Sequence, residues 1–244
     1  MNSIINLGSG NFEVNLNKPI DISMRLGRDS AGAWYLGAPK IEPVVHGDWI
    51  GRVSKGANVN FNRIEFSPHA HGTHTESYGH ISKEFFSIGE ALKKFFFKSK
   101  LVSLRPEKIG EDLVFTKDSI AKVLKEDEAE SLIVRSLPNN WTKKTRSYDH
   151  SNWPYLNAEA AAYIRDCGIH HLIIDLPSID KEKGEVKAHQ AFWNYPDRVR
   201  KHATITEMVF IPNSVKDGVY ILNLQVANFE NDAAPSRPVL FEIK

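Results

Sequence analysis

The sequence lacks the features that mark several classes of protein. It has one cysteine, Cys167, among 244 residues, so no disulfide can form within the chain, which fits a reducing compartment. Its formal net charge is only +1, so no basic field favours nucleic acid or an anionic membrane. Its longest apolar runs are far shorter than a transmembrane span, and its first residues do not resemble a signal peptide. These absences predict a cytoplasmic protein without nucleic-acid or membrane partners.

The composition and the local patterns are those of a folded α/β protein. Hydrophobic residues make up 41% of the chain and charged residues 25%, which is typical of globular domains. Strands are predicted at residues 19–23, 59–66, 101–104, 131–137, 171–176, 207–211, 218–226 and 239–243, a long loop at 28–48, and a short helix at 119–125. The clearest helix begins after Asn157, a plausible N-cap, and ends at Gly168. Because it lies between two apolar strands, we expect a parallel βαβ unit within a mixed sheet.

Four histidines and one acid fall close together, and this segment is the most informative part of the chain. It reads Ser67-Pro-His-Ala-His-Gly-Thr-His-Thr-Glu-Ser-Tyr-Gly-His80. Imidazole and carboxylate are ligands for zinc, manganese and related ions. His74 and Glu76 are two residues apart, so in an extended backbone their side chains point to the same side. The pattern predicts a metal site that is completed by ligands from elsewhere in the chain.

The segment resembles the cyclase-like metal hydrolase family, which includes bacterial kynurenine formamidase and isatin hydrolase. That family carries the motif His-x-Gly-Thr-His-x-Asp-x-Pro-x-His, and its counterparts here are His69, Gly72-Thr73-His74, Glu76 and His80. The similarity extends to Pro19–Ser23, to Trp153–Ala162, to Ile174–Asp180, to Ala188-His189 and to Thr206-Glu207. The resemblance implies one domain over residues 1–244 with a mixed-sheet swivelling β/β/α fold, assembled as a homodimer or homotetramer.

The resemblance also implies roles for particular residues. His69, His74 and Glu76 would bind a first divalent ion, zinc or manganese, and Glu76 would bridge to a second ion held by His189 and Glu207 where that ion is present. His80 would be the acid/base histidine that serves metal-activated water. The expected activity is hydrolysis of a small amide, lactam or formamide, of the arylformamidase type. A lactone or ester hydrolase, a cyclase, and an inactive metal-containing binding protein are the alternatives.

Three departures from the family motif leave questions open. One extra residue separates His69 from Gly72, so His71 could be the first ligand instead. Glu76 replaces the usual aspartate, and Tyr78-Gly79 stands where the family has proline. The longer side chain of Glu76 could change the spacing or number of ions, and the loss of proline loosens the path to His80.

Two further choices are not decided by the residues alone. His202 lies five positions before Glu207 and is the alternative to His189 as a ligand. Trp34, in the long early loop, and Trp193, which follows His189, are candidate substrate contacts, because aromatic side chains suit a pocket for a ring-bearing small molecule.

Overall fold

A computed structural model describes residues 1–244, which form 18 strands and four α-helices. The strands are β1 (Asn2–Leu7), β2 (Gly10–Asn15), β3 (Ile20–Asp21), β4 (Lys40–Pro43), β5 (Val45–His46), β6 (Trp49–Ile50), β7 (Asn62–Glu65), β8 (His74–Glu76), β9 (Phe96–Leu104), β10 (Glu107–Ile109), β11 (Asp112–Phe115), β12 (Ser131–Ser136), β13 (Tyr155–Leu156), β14 (His171–Ile174), β15 (Thr204–Glu207), β16 (Gly218–Asn223), β17 (Ala233–Pro235) and β18 (Val239–Glu242). The helices are α1 (Ile88–Ala91), α2 (Lys117–Ala121), α3 (Ala158–Asp166) and α4 (Lys187–Trp193), and short 3-10 helices cover Val53–Lys55, Tyr78–His80 and Trp141–Lys144. None of these helices has the length and hydropathy that a membrane-spanning segment requires.

A nine-stranded mixed sheet organises the molecule, with strand order β17-β8-β15-β14-β12-β9-β16-β18-β3. Its four central strands, β15, β14, β12 and β9, are parallel, and the strands on either side run antiparallel to their neighbours. The mixed α/β fold predicted from the family resemblance is therefore confirmed.

The central strands are apolar on both faces because each face packs against a separate core. In β12, Leu132 and Val134 face the larger core, which holds α3, whereas Ile133 faces the smaller one. In β14, Ile173 faces the smaller core in the same way. Successive side chains of a strand point to opposite faces, so a continuous apolar run is the expected signature of a covered parallel strand.

Several predicted elements are confirmed. The βαβ unit is β12-α3-β14, and its two strands are parallel. Asn157 caps α3 by accepting a hydrogen bond from the Ala160 N–H, and Gly168 follows the helix end with φ of 82°. The predicted strands at residues 19–23, 131–137, 218–226 and 239–243 contain β3, β12, β16 and β18. Cys167 is free and buried.

Three predictions about elements were wrong. The predicted half-buried strand at 59–66 is the four-residue β7, which is exposed throughout and pairs only with β4. The segment 28–48, predicted as a loop, contains β4 and β5. A strand was predicted at 207–211, but the observed strand, β15, covers Thr204–Glu207 and so ends at the residue where the predicted one begins. The residues that pair in the sheet are more polar than the predicted ones. Thr204 and Thr206 are tolerated there because their hydroxyls pair with His171 and Thr75.

Candidate metal centre

Two neighbouring strands of the sheet bring three of the predicted ligands together. β8 and β15 are antiparallel, with His74 opposite Glu207 and Glu76 opposite Ile205. His74 and Glu76 share one face of β8, and directly opposed residues share a face, so Glu207 points the same way. The His74 Nε2 atom lies 3.4 Å from the Glu207 Oε2 atom. All three side chains are almost completely buried.

A tight turn before β8 brings only one of the two candidate histidines into the cluster. The Ser67 carbonyl accepts hydrogen bonds from the N–H groups of Ala70 and His71, and this turn absorbs the extra residue relative to the family motif. It directs His69 inward, where its Nδ1 atom lies 3.1 Å from the Glu76 Oε2 atom. His71 turns away, because its Nδ1 accepts from the Ser67 N–H and its Nε2 lies 2.8 Å from the Gly37 carbonyl oxygen. The structure therefore places His69 in the cluster and His71 outside it.

The glycine at position 79 allows His80 to reach the same cluster. A Cβ atom at that position would lie 2.3 Å from the Phe86 carbonyl oxygen, so only glycine fits the close approach of the two segments. The short helix Tyr78–His80 then places the His80 Nε2 atom 3.9 Å from the Glu76 Oε2 atom. The Tyr78-Gly79 departure thus has a packing reason, and His80 remains at the centre.

His189 is held by an aspartate to which the sequence interpretation assigned no role. Asp180 accepts hydrogen bonds from the backbone N–H groups of Ala188 and His189 at the start of α4. Its Oδ2 atom also lies 2.5 Å from the His189 Nδ1 atom. The opposite ring nitrogen, Nε2, is thereby directed to the Glu76 Oε1 atom at 3.0 Å and the Glu207 Oε1 atom at 3.7 Å. A carboxylate that fixes the ring of a histidine in this way is typical of metal sites.

Asp232 is a second carboxylate that sequence reasoning missed. Its Oδ2 atom lies 2.8 Å from the His69 Nε2 atom and 3.5 Å from the His80 Nδ1 atom. It lies just before β17, the strand that pairs with β8. Nothing in the local pattern Glu230-Asn231-Asp232 separates it from an ordinary solvated acid, so only the strand pairing reveals its position.

The electrostatics of the cluster are those of buried carboxylates that require positive partners. Burial by itself lowers the pKa of His69, but the nearby carboxylates of Asp232 and Glu76 outweigh it and raise that pKa to about 10. At His189 burial acts the same way, and Asp180 and Glu76 raise the pKa to about 10. Burial raises the pKa of Glu76, yet the charges of His80 and His189 hold it well below its usual range. Glu76 therefore stays ionised, with histidines as its only ion-pair partners.

The donor set fits a divalent cation. Three overlapping groups have ligand atoms within 4.8 Å of one another, and they consist of His69, His74 and Glu76, of His69, His80 and Asp232, and of Glu76, His80 and His189. The buried Glu76 Oε2 and His74 Nε2 atoms lie 3.1 Å from His69 and 3.4 Å from Glu207, but neither contact has the geometry of a hydrogen bond, so both atoms remain unsatisfied. A buried polar atom that lacks a partner is costly, and one cation would satisfy both atoms. Imidazole nitrogen together with carboxylate oxygen is a donor set that zinc and manganese accept.

Part of the cluster lines a cavity of about 300 Å³, whose wall also includes Trp34. The cluster residues that line it are His69, His80, Asp180, His189 and Glu207, whereas His74 and Glu76 are buried and do not. Trp193 was predicted to contact substrate, but it is completely buried behind His189, with its Nε1–H donated to the Ala203 carbonyl. It packs in the core and cannot touch a ligand in the cavity. His202, the alternative ligand, lies outside the cluster in a different cavity, and its Nδ1 atom lies 3.4 Å from the Ala91 carbonyl oxygen.

Comparison with known proteins agrees with this geometry. Residues 20–181 match the Cyclase family model, described as "Putative cyclase". No curated protein matches the chain significantly. A solved structure named as a "potential metal-dependent hydrolase with cyclase activity" aligns with TM-score 0.68 and 19% identity, over 93% of this chain and 98% of that one.

Two isatin hydrolases have the same fold. Isatin hydrolase A from Labrenzia aggregata, bound to benzyl benzoate, aligns with TM-score 0.68 and 15% identity over 93% of this chain and 94% of that one. Isatin hydrolase A from Ralstonia solanacearum aligns with TM-score 0.59 and 12% identity over 92% and 91%. Because the family model matches more than half of the chain, the chain belongs to the cyclase family.

Proposed function

We propose that this protein is a metal-dependent hydrolase of a small amide, lactam or formamide. The observation that carries the proposal is a pair of unsatisfied buried atoms, His74 Nε2 and Glu76 Oε2. Glu76 contacts His69, His80 and His189, and these three histidines line an open cavity. A purely structural polar cluster would satisfy its own buried atoms. This one leaves them for a ligand that can bind nitrogen and oxygen together.

His69, His74 and Glu76 would hold the cation, and His189 and Glu207 would serve a second ion. When it is bound, a divalent cation lowers the pKa of water and stabilises negative charge on a carbonyl oxygen. Asp180 and Asp232 would keep the rings of His189 and His69 in the binding orientation. Zinc and manganese both suit these donors, and metal analysis decides between them.

His80 is the proton carrier of the proposed mechanism. Its Nδ1 atom faces Asp232, which leaves Nε2 directed towards Glu76 and the interior of the cavity. His80 is also partly exposed at the cavity wall, so its ring can reach a bound substrate. We assign Nε2 as the atom that takes the proton from water and returns it to the leaving nitrogen. An unprotonated leaving nitrogen is a poor leaving group, so this return is the step that an amide or lactam requires.

The cavity suits a small ring-bearing substrate. Trp34 supplies an aromatic wall, and Val186 adds an apolar side chain. Pockets of this kind bind planar apolar groups while a few polar groups fix their orientation. Isatin, the substrate that two of the structural neighbours are named for, contains a lactam, and this also favours a cyclic or aryl amide.

The decisive experiment is metal analysis followed by assays of the metal-loaded protein on formyl-anilides, lactams, lactones and simple esters. We expect turnover of an amide or lactam that chelation abolishes. His80→Ala should reduce kcat while leaving the metal content near that of the wild type. Turnover of esters and lactones alone would move the proposal to that substrate class. Tight metal binding with no turnover on any substrate would identify a binding protein instead.

A matched pair of variants tests the metal ligand in the turn. His69→Ala should lose metal, because its ring lies against Glu76, whereas His71→Ala should retain metal, because both of its ring nitrogens bind backbone. The reverse result would move the first ligand to His71.

A further inference from the structure

A second cavity of about 210 Å³ lies at the carboxyl ends of β12 and β14, and it shares no lining residue with the metal centre. We call it the loop cavity. Its wall includes Leu137 and Pro138, which follow β12, Leu176, which follows β14, and Tyr148, Ser151 and Trp153 from the loop before α3. The proposed hydrolase activity does not use this cavity.

Two hydroxyl groups in this wall have no partner. The Tyr148 Oη and Ser151 Oγ atoms are buried and form no hydrogen bond, and Tyr148 is only 2% exposed. Buried hydroxyls are normally paired, because an unpaired one has lost its hydrogen bonds to water without replacement. Burial also raises the pKa of Tyr148, so its phenol keeps the proton that it can donate. A ligand with acceptor oxygens would satisfy these two unpaired hydroxyl donors.

The charge balance of the cavity selects an anion. Lys143 also lines it, but its Nζ atom lies 2.7 Å from Asp175 and donates to Ser136 as well, so that lysine is neutralised and fully bonded. Arg146 lies over the Tyr148 ring at 4.7 Å from its centroid, and its guanidinium has no ion pair or hydrogen bond. The surplus charge is therefore positive and belongs to a side chain whose planar fork matches a carboxylate.

The wall also has an apolar part, beside the polar residues Ser136, Asn140, Thr142 and Asn152. Leu137, Pro138, Leu176 and Trp153 line the same cavity as Tyr148 and Ser151. A bare inorganic anion would leave these groups uncovered, whereas an organic acid would place its hydrocarbon body against them.

We propose that the loop cavity binds a small organic carboxylate, whose oxygens accept hydrogen bonds from the Tyr148 and Ser151 hydroxyls and from the Arg146 guanidinium. The site is built on residues that the metal centre does not use. Its failure would therefore leave the proposed hydrolase untouched, and the reverse also holds.

Calorimetric titration with benzoate tests the proposal, with benzyl alcohol as the uncharged control ligand. We expect the wild type to show a saturable benzoate component that benzyl alcohol does not reproduce. Arg146→Gln and Tyr148→Phe should each weaken that component about tenfold or more, which is the usual effect of losing a hydrogen bond to a charged group. Arg146 is exposed, so its replacement leaves the fold intact.

Two control variants locate the binding. Arg63→Gln removes an exposed arginine from β7, and His80→Ala alters the cavity of the metal centre, so both should retain the benzoate component. Wild-type turnover should persist in Arg146→Gln. The proposal is overturned if the wild type shows no saturable component, if benzyl alcohol binds equally well, or if every component survives in Arg146→Gln and Tyr148→Phe.

Discussion

Replacing Asp232 with asparagine is expected to weaken metal binding by about 10- to 100-fold, the usual effect of losing a carboxylate that orients a metal-binding histidine. Asp232 is not itself required as a ligand in the proposed centre. It acts on two histidines at once, through contacts of 2.8 Å to His69 and 3.5 Å to His80. The substitution keeps the shape of the side chain and removes its charge.

The magnitude follows from these contacts. A hydrogen bond to a charged group contributes about 1.5–3 kcal/mol when the groups are largely shielded from water. The side chains of Asp232 and His69 are 24% and 23% exposed, so solvent screens the pair only in part. At about 1.4 kcal/mol for each tenfold change, loss of the shorter contact alone accounts for the expected range. Asparagine can still accept a hydrogen bond, so Asp232→Ala should weaken metal binding at least as much as Asp232→Asn does.

Competition titration against a chromogenic chelator measures this effect, with turnover on the best substrate as a second measure. Asp166→Asn is the matched control, because Asp166 is exposed and pairs only with the neighbouring Arg165. The control should bind metal as the wild type does. If both Asp232 variants retain metal affinity within about twofold of the wild type, the reasoning that the carboxylate orients His69 is refuted.

Three further predictions follow from the site and the core. His189→Ala should lose bound metal whereas His202→Ala should retain it, as measured by elemental analysis, and equal retention in both would remove His189 from the ligand set. Chelation of the native protein should abolish turnover and lower Tm, with recovery on adding metal back, since a ligand that binds only the folded state stabilises it; unchanged turnover after verified metal removal would contradict the proposed function. Burial, with smaller contributions from His170 and Arg200, lowers the pKa of His171 to about 3. Below pH 6.5 the unfolded chain therefore takes up a proton at His171 that the folded chain does not bind. The stability that the neutral buried ring contributes is present above pH 6.5 and is lost as the pH falls towards 3. Urea unfolding of the metal-free proteins should show the wild type losing about 2 kcal/mol more than His171→Asn between pH 7 and pH 5, at 1.4 kcal/mol per pH unit, and equal losses would refute the assignment of a neutral buried ring.

Local interactions explain the parts of the fold that could be predicted. The Asn157 cap, the helix that follows it and the apolar strands on either side depend on contacts between residues close in sequence. Strand positions were less predictable where burial is set by distant neighbours. β7 has the alternating pattern of a half-buried strand yet is exposed, because it forms only a two-stranded sheet with β4 and lies outside the large sheet.

Some residues of the candidate site could also be predicted from the sequence, and others could not. The motif from His69 to His80 identified most of the cluster, because its residues lie within one turn, one strand and one short helix. His189 and Glu207 were named only through resemblance to a family. Asp232 has no signal of its own, and Trp193 was misplaced because an aromatic residue next to a ligand can face the core as easily as the cavity. Assembly as a homodimer or homotetramer stays a prediction.

The amino-acid sequence by itself determined the class of fold and the segment that supplies most of the candidate metal ligands, since these depend on residue type and short-range spacing. Only the tertiary structure decided which carboxylates approach which histidines. A local turn at Ser67 places His69 in the cluster and His71 outside it. Pairing of β8 with β15 and β17 brings together residues more than 100 positions apart. This pairing depends on backbone hydrogen bonds between distant strands, which leave no mark on the side chains they bring together.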